Sequence, residues 1–448
     1  MATLKRQLGF FSAAFAVIGT MIGSGVFLTG SELYFDAHAS KEMILALWAL
    51  GGLVAISGAL SYAELAAFYP EAGGEFAYLN RIFGRLPAFL TGWISLLVGF
   101  SAPIALTSLS IIHFGNEAYT QLTGLKWIHD PMREKLLAGF IPILLALFHL
   151  KGVKTGGSMH NAMTALKTIL TFAFAAALFN VIAPPTTLMQ PVAKIHGAFS
   201  WGMLLLSVMF SYSGWNAASY LGAEVKNPEK NLPRALVIGT LITAALYLML
   251  NYNFLRFAGI NIEHTDLAVN AARSLFGNVG AAILSALISF FLLSSVSAEV
   301  MIGPRVYYAM AEKGLLFKKL AEVHSKFGTP AFAILLQTGL SVIYILAFGS
   351  SILNLLIFMG FALSFFPWLT VLGLLVQHSR DANFAQRAYR SPLFPLFPVI
   401  FLTATLCMMV ASLIERTQTS LIAVGITVAG GVAFFIWENI RKKYSGNA

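Results

Sequence analysis

Two short stretches of small and polar residues interrupt apolar runs: Ile22-Gly23-Ser24-Gly25, and Ser211-Tyr212-Ser213-Gly214 followed by Trp215-Asn216. A glycine in a helix interior costs about 1 kcal/mol relative to alanine, so each stretch is a place for a helix to unwind. Unwinding inside a membrane frees backbone N–H and C=O groups that need partners. The half-helix starting after Gly25 aims its amides and the positive end of its dipole into the first break, which suits an anion such as a carboxylate. The half-helix ending near Phe210 presents free carbonyls, which suit an ammonium group. One break for each charge is the recognition chemistry of an α-amino acid. For either break alone, close packing of small residues between helices is the competing explanation.

Two ionisable side chains fall inside apolar runs. Lys167 stands about seven residues into a run beginning near 160, roughly 10 Å along a helix. A lysine there costs up to about 3 kcal/mol on insertion and is a functional candidate by default. A snorkelling lysine whose amine reaches the headgroups is the alternative. Glu299 lies about one turn inward of Pro304-Arg305. It can attract a cationic side chain, pair with Lys167 or carry a proton, unless it simply faces water at the helix end. Glu64, at the end of the second apolar run, reads as an ion-pair or capping partner of the following loop. Cys407 is the only cysteine, which leaves no disulfide framework and no cysteine zinc site. His113, His149 and His160 lack metal-ligand spacing, and Gly73-Gly74 follows no strand and is no nucleotide motif. No cofactor and no enzymatic activity are expected, because no pair of His, Asp or Glu sits within a span at catalytic spacing.

The elements that carry these residues follow from composition. Of 448 residues, 58% are hydrophobic and 11% charged, with mean hydropathy +0.76, against about 25% charged in soluble domains. Lipid is the solvent such a chain needs, and its long unbroken apolar runs point to helices rather than a barrel. Helices are expected near 8–30, 42–69, 84–115, 133–151, 160–183, 197–223, 233–258, 277–312, 329–348, 351–377, 391–414 and 417–440, about twelve spans of roughly 20 residues or more. Of the 29 Lys and Arg residues, 20 fall on the side of the termini, 8 on the other side, and Lys167 within a span. Both termini are therefore expected in the cytoplasm. The net charge of +10 belongs to these loops and gives no reason to expect nucleic acid as a partner. Spans one to five and six to ten start at offsets of roughly 190 residues, the pattern of an inverted repeat. Residues 1–448 then form one transmembrane domain: repeat one over about 8–183, repeat two over about 197–377, and extra helices over about 391–440. The two breaks occupy matching positions in the repeats.

Four segments carry a family resemblance: Ile18 to Phe27; Tyr62-Ala63-Glu64-Leu65 with Pro70 to Tyr78; Phe210 to Asn216 with Glu224 to Ala235; and Arg305 to Ala311 with Gly314-Leu315-Leu316 and Gly328-Thr329-Pro330. Together they resemble the amino acid–polyamine–organocation superfamily, specifically its bacterial and L-type amino-acid permeases. The resemblance implies a leucine-transporter-type fold, five plus five inverted helices and two more, with helices one and six unwound. It implies a substrate carboxylate on the amides around Ser24 and Gly25, and an amino group on carbonyls at Ile22 and around Phe210 to Ser213. Phe210 would be an aromatic gate, and Trp215 would stand beside the second break. Lys167 would occupy the place where sodium-coupled cousins bind sodium, tying helix five to the unwound part of helix one. Glu299 departs from the pattern, because that position is often aromatic. The expectation is alternating-access transport of neutral L-amino acids, sodium-independent and either proton-coupled or exchanging. Cationic amino acids or polyamines are the alternative substrates, and a membrane amino-acid sensor is the alternative from another class. The short termini fit a bacterial inner membrane, with lipid and the amino acid as partners.

Overall fold

A computed structural model describes residues 4–180, 198–257, 267–348, 352–381, 384 and 389–445. The first apolar run divides into α1 (Phe10–Met21) and α2 (Gly25–Ser31), which continues into a π-helical turn, Glu32–Asp36. α3 (Lys41–Phe68) starts at Ser40, whose side chain accepts the Met43 amide at 3.2 Å, a standard N-cap. The short α4 (Glu75–Ile82) precedes α5 (Arg85–Ile94), a π-helical turn (Ser95–Gly99) and α6 (Ser101–Thr123). Asp130 caps α7 (Pro131–Leu150), with Pro131 in the first position, where its missing N–H costs nothing. α8 is Val153–Phe179 and α9 is Ala198–Ser211, after which only a 3-10 turn, Ala217–Tyr220, remains regular. Then come α10 (Pro228–Arg256), α11 (Leu267–Ile302), α12 (Pro304–Glu312), α13 (Ala331–Phe348), α14 (Ile352–Arg380), α15 (Leu396–Glu415) and α16 (Thr417–Ser445).

Among the described residues, nine helical stretches are long and apolar enough to cross a bilayer. Large apolar side chains such as Phe140 and Leu147 on α7, Ile169 on α8 and Phe435 on α16 are exposed, an apolar surface of the kind that lipid covers. The chain is a multi-pass membrane protein. α1 lies at its centre, packed against α8, α10 and α11, because Ala13, Ala14, Ala16 and Gly19 let neighbouring backbones approach closely. α3 packs on α10, and α6 on α11.

The element boundaries correct several expectations. The sixth span, expected over 197–223, is helical only to Ser211. The third contains the π-helical turn and reaches Thr123 rather than 115. The eighth starts earlier, at Leu267, kinks at Gly277 (φ 65°) and breaks before Pro304. The fifth begins at Val153, so Lys167 stands near its middle, about 20 Å from either end. Lys194, Arg387 and the expected span ends 181–183, 197, 258 and 351 lie outside the described residues.

Candidate functional site

Both breaks form, and they face each other. α1 ends at Met21, and Ile22 leaves helical geometry at ψ 78°. The Gly23 amide turns back to the Met21 carbonyl at 2.7 Å, and the Phe27 and Leu28 amides bond Ser24 O as α2 begins. Opposite, the chain turns after Ser211, and Gly214 adopts φ +101°, a left-handed conformation that side chains avoid. Three contacts hold the breaks together. Thr29 Oγ1 and Ser211 Oγ are 2.9 Å apart, and Thr20 Oγ1 lies 3.4 Å from Gly214 O. The Tyr247 hydroxyl on α10 reaches both Ser211 O, at 3.0 Å, and Met21 O.

The approach is closest at Gly25. A Cβ there would stand 2.8 Å from Ser211 Cα and 2.7 Å from its Oγ. Since one of those atoms is backbone, the broken helices would have to part. Gly25→Ala is expected to cost about 1–3 kcal/mol by overpacking and to weaken amino-acid binding at least tenfold. Thermal unfolding in detergent and equilibrium binding check both; wild-type affinity in the variant would mean the breaks do not grip the ligand.

Between the breaks lies a cavity of about 160 Å3. Gly23, Ser24 and Gly25 line it from the first break; Phe210, Ser211, Ser213, Gly214 and Trp215 line it from the second; Glu299 lines it from α11. Trp215 is held edge-on by Tyr62 (4.7 Å between centroids) and Phe401 (5.4 Å). Ile22 and Lys167 do not reach the wall. The Lys167 amine is buried and donates to Gly19 O (3.0 Å), Ile22 O (2.8 Å) and Ser295 Oγ (3.1 Å). Ser295 Oγ in turn donates to Ile22 O at 2.9 Å. The Ile22 carbonyl, expected at a substrate amine, is thus already engaged by Lys167 and Ser295. A lysine with no exposure at mid-helix is not snorkelling. Its three oxygen acceptors match the three N–H donors of an ammonium group, and it cross-links α8, the unwound part of α1 and α11.

Glu299 differs from the other acid of the wall. Its Oε2 has no partner among the described residues, while its backbone carbonyl accepts the Gln337 amide at 2.9 Å. Glu75, the first residue of α4, is engaged: Asn216 Nδ2 donates at 2.6 Å and Thr91 Oγ1 lies at 3.4 Å. Burial pushes the Glu75 carboxyl above the ordinary carboxylate range, and hydrogen bonds from its neighbours pull partly the other way. The sequence reading overlooked Glu75 and Asn216 as wall residues, although both lie in segments that carry the family resemblance. A carboxylate in a Gly-Gly turn between apolar runs was the available signal. Glu64 accepts the Ser391 amide at 2.9 Å and faces His378 Nε2 at 2.6 Å. It therefore ties α3 to α14 and the segment before α15, not to the loop that follows it. His149 and His160 serve as interhelical contacts, to Ser297 Oγ (2.9 Å) and Phe15 O (3.1 Å).

At one end of the bundle, Arg305 on α12 and Glu224 form a bidentate pair, Nε–Oε1 2.6 Å and Nη2–Oε2 3.0 Å, with both side chains almost fully buried. The Glu224 carbonyl accepts the Gln7 and Leu8 amides at 2.8 and 2.9 Å, so the segment before α1 is fastened there too. Arg305 is one of the 20 cations counted on the side of the termini, and it is buried there rather than solvated.

Residues 8–434 match the family model described as amino acid permease. The serine/threonine exchanger SteT of Bacillus subtilis is 30% identical over 95% of this chain and 95% of its own. The b(0,+)-type amino acid transporter 1 of Mus musculus is 26% identical over 97% of this chain and 88% of its own. The human cystine/glutamate transporter is 27% identical over 98% and 87%. A family match spanning nearly all the helices, over a chain whose two helix breaks share one cavity, means that this protein belongs to the amino acid permease family of the amino acid–polyamine–organocation superfamily, a family of transporters.

Proposed function

We propose that the protein carries an α-amino acid across the membrane by alternating access, without sodium. The observation that carries this reading is the pair of facing helix breaks around one cavity, with the Lys167 amine fixed behind the first. The amides opening α2 would take the substrate carboxylate, and the carbonyls between Tyr212 and Ser213 its amine. Lys167 would be a standing positive charge among carbonyl and hydroxyl oxygens, where a coupling cation would otherwise be held. The packing of α3 on α10 and of α6 on α11 supports the inverted repeat of five plus five spans, because the partners descend from the same position in each half. With cytoplasmic termini, the Arg305–Glu224 pair would close the inner end. The printed names of the relatives cover several amino-acid classes, so the side chain carried is argued separately below.

The test is uptake of radiolabelled amino acids into proteoliposomes, empty or preloaded with amino acid, with and without an inward proton gradient. Uptake that requires internal amino acid and ignores both sodium and the gradient is expected. Uptake that requires the gradient and vanishes in Lys167→Ala would mean proton symport instead. Failure of every amino-acid pool to cross, while binding persists, would favour the sensor.

A further inference from the structure

Resting on the amino-acid carrier reading, we propose that Glu299 is a specificity residue that selects substrates with a cationic side chain, such as lysine, ornithine or arginine, over neutral ones. The argument begins with the charge inventory of the cavity. Among the described residues its wall carries two acidic side chains, Glu75 and Glu299, and no lysine, arginine or histidine. Glu75 spends its oxygens on Asn216 and Thr91. Glu299 leaves Oε2 without a hydrogen-bond partner and forms no ion pair with any cation among the described residues. Lys167, the nearest candidate, has its three donors engaged by Gly19, Ile22 and Ser295. A carboxylate removed from water without a hydrogen-bonded counter-charge is costly, and among the described residues the cation that acts on Glu299 is Lys167, whose donors are already committed elsewhere. A ligand that brings an ammonium or guanidinium group supplies that counter-charge.

The surroundings of Glu299 fit the rest of such a side chain. Ser295, Glu299 and Ile302 share one face of α11 at helical spacing, and all three line the cavity. α11 packs on α6, which contributes Pro103, Leu106 and Thr107, again on one face. An aliphatic stem lying against Ile302, Pro103 and Leu106 with a cation at Glu299 satisfies both kinds of wall. A neutral aliphatic side chain would bury the same apolar surface and leave the carboxylate uncompensated, and a site built around a charged group rejects the analogue that lacks its partner.

The test uses full-length protein in proteoliposomes with radiolabelled L-lysine, and measures competition by L-norleucine, which keeps the stem without the amine, and by putrescine, which keeps amines without a carboxylate. Lysine should compete at least about tenfold better than norleucine, and putrescine poorly. In Glu299→Gln the lysine-to-norleucine ratio should fall close to one; in Glu299→Asp, which keeps the charge, much of it should return. Thermal unfolding of both variants verifies that they fold. Equal loss of lysine and norleucine binding in Glu299→Gln would mean that Glu299 only balances Lys167 across Ser295, and would overturn the proposal. So would a wild-type preference for norleucine, which leaves the carrier reading standing with a neutral substrate. Putrescine competing as well as lysine would overturn the amino-acid assignment while keeping the cation site. Binding of none of the three would overturn this proposal, and the uptake of the other amino-acid pools then decides whether the carrier reading stands.

Discussion

Lys167→Ala is expected to lower amino-acid uptake by about 100-fold or more and to lower the unfolding temperature measurably. The amine satisfies two carbonyls at the unwound end of α1, Gly19 O and Ile22 O, and the Ser295 hydroxyl. Each buried polar group left without its partner costs about 1–3 kcal/mol. In lipid no bulk water replaces it. Ser295 can still donate to Ile22 O, so Gly19 O is the acceptor most fully orphaned. The loss is also mechanical, because α8, α1 and α11 meet at this one group. Lys167→Met separates the two effects: it refills the volume and restores packing, but neither the hydrogen bonds nor the charge. Stability should recover partly in Met while uptake stays low. Uptake by the methionine variant at the wild-type rate would show that packing, not charge, is what the break requires. The pH dependence of uptake in wild type then separates a fixed charge, insensitive to an imposed gradient, from a proton carrier.

How far these arguments could be made from sequence depends on whether a feature is local. The breaks at Gly23-Ser24-Gly25 and Ser213-Gly214 were legible because glycine and serine in an apolar run are local weaknesses in a helix. Lys167 was legible as a charge where charges are expensive, but its depth was not. The first turns of α8, Val153 to His160, are polar and contain Gly156-Gly157, so they read as loop. They are helical because tertiary packing overrides propensity: Gly156 sits directly against the His149 ring, which a Cβ would meet at 2.4 Å. The end of the sixth span failed for a related reason. Beyond Gly214 the chain is diverted by Asn216 reaching Glu75, 141 residues away, a bond no local pattern announces. The π-helical turn at Ser95–Gly99 contains no proline and only a terminal glycine. Its geometry is supported from afar by the Tyr307 hydroxyl on Ser95 O at 3.2 Å and by the Tyr344 hydroxyl on Leu97 O. Glu299 was recognisable as an oddity, but only the cavity and its missing counter-charge give the oddity a direction.

Arg305→Ala is expected to unlatch the end of the bundle where it pairs with Glu224, and here stability and mechanism can be told apart. The guanidinium spans both oxygens of Glu224 and also donates to Met301 O, with 2% exposure on the arginine side and 1% on the glutamate. Removing one member of a buried pair leaves the other as an uncompensated charge and costs about 3–5 kcal/mol. The pair joins α12 to the segment that follows the second break, and that segment holds Gln7 and Leu8 ahead of the first. Opening a path at this end would have to break these contacts, so their loss is expected to favour the open state. A bias of about 3 kcal/mol moves a two-state equilibrium by about 100-fold. A single cysteine at Leu106 on the cavity wall, in a Cys407→Ala background, should therefore react faster with an impermeant thiol reagent applied from the side of the termini. Arg305→Lys should be intermediate, since a point charge cannot bridge both carboxylate oxygens. Pairing Arg305→Met with Glu224→Leu removes both charges at once and should return most of the thermal stability. If the latch is the reason for closure, labelling in that double variant stays fast although the protein is stable again. If labelling is slow in all three backgrounds, closure at this end rests on the packing of α12 and the backbone pairing of Leu8 with Val225, and the ion pair only stabilises the fold.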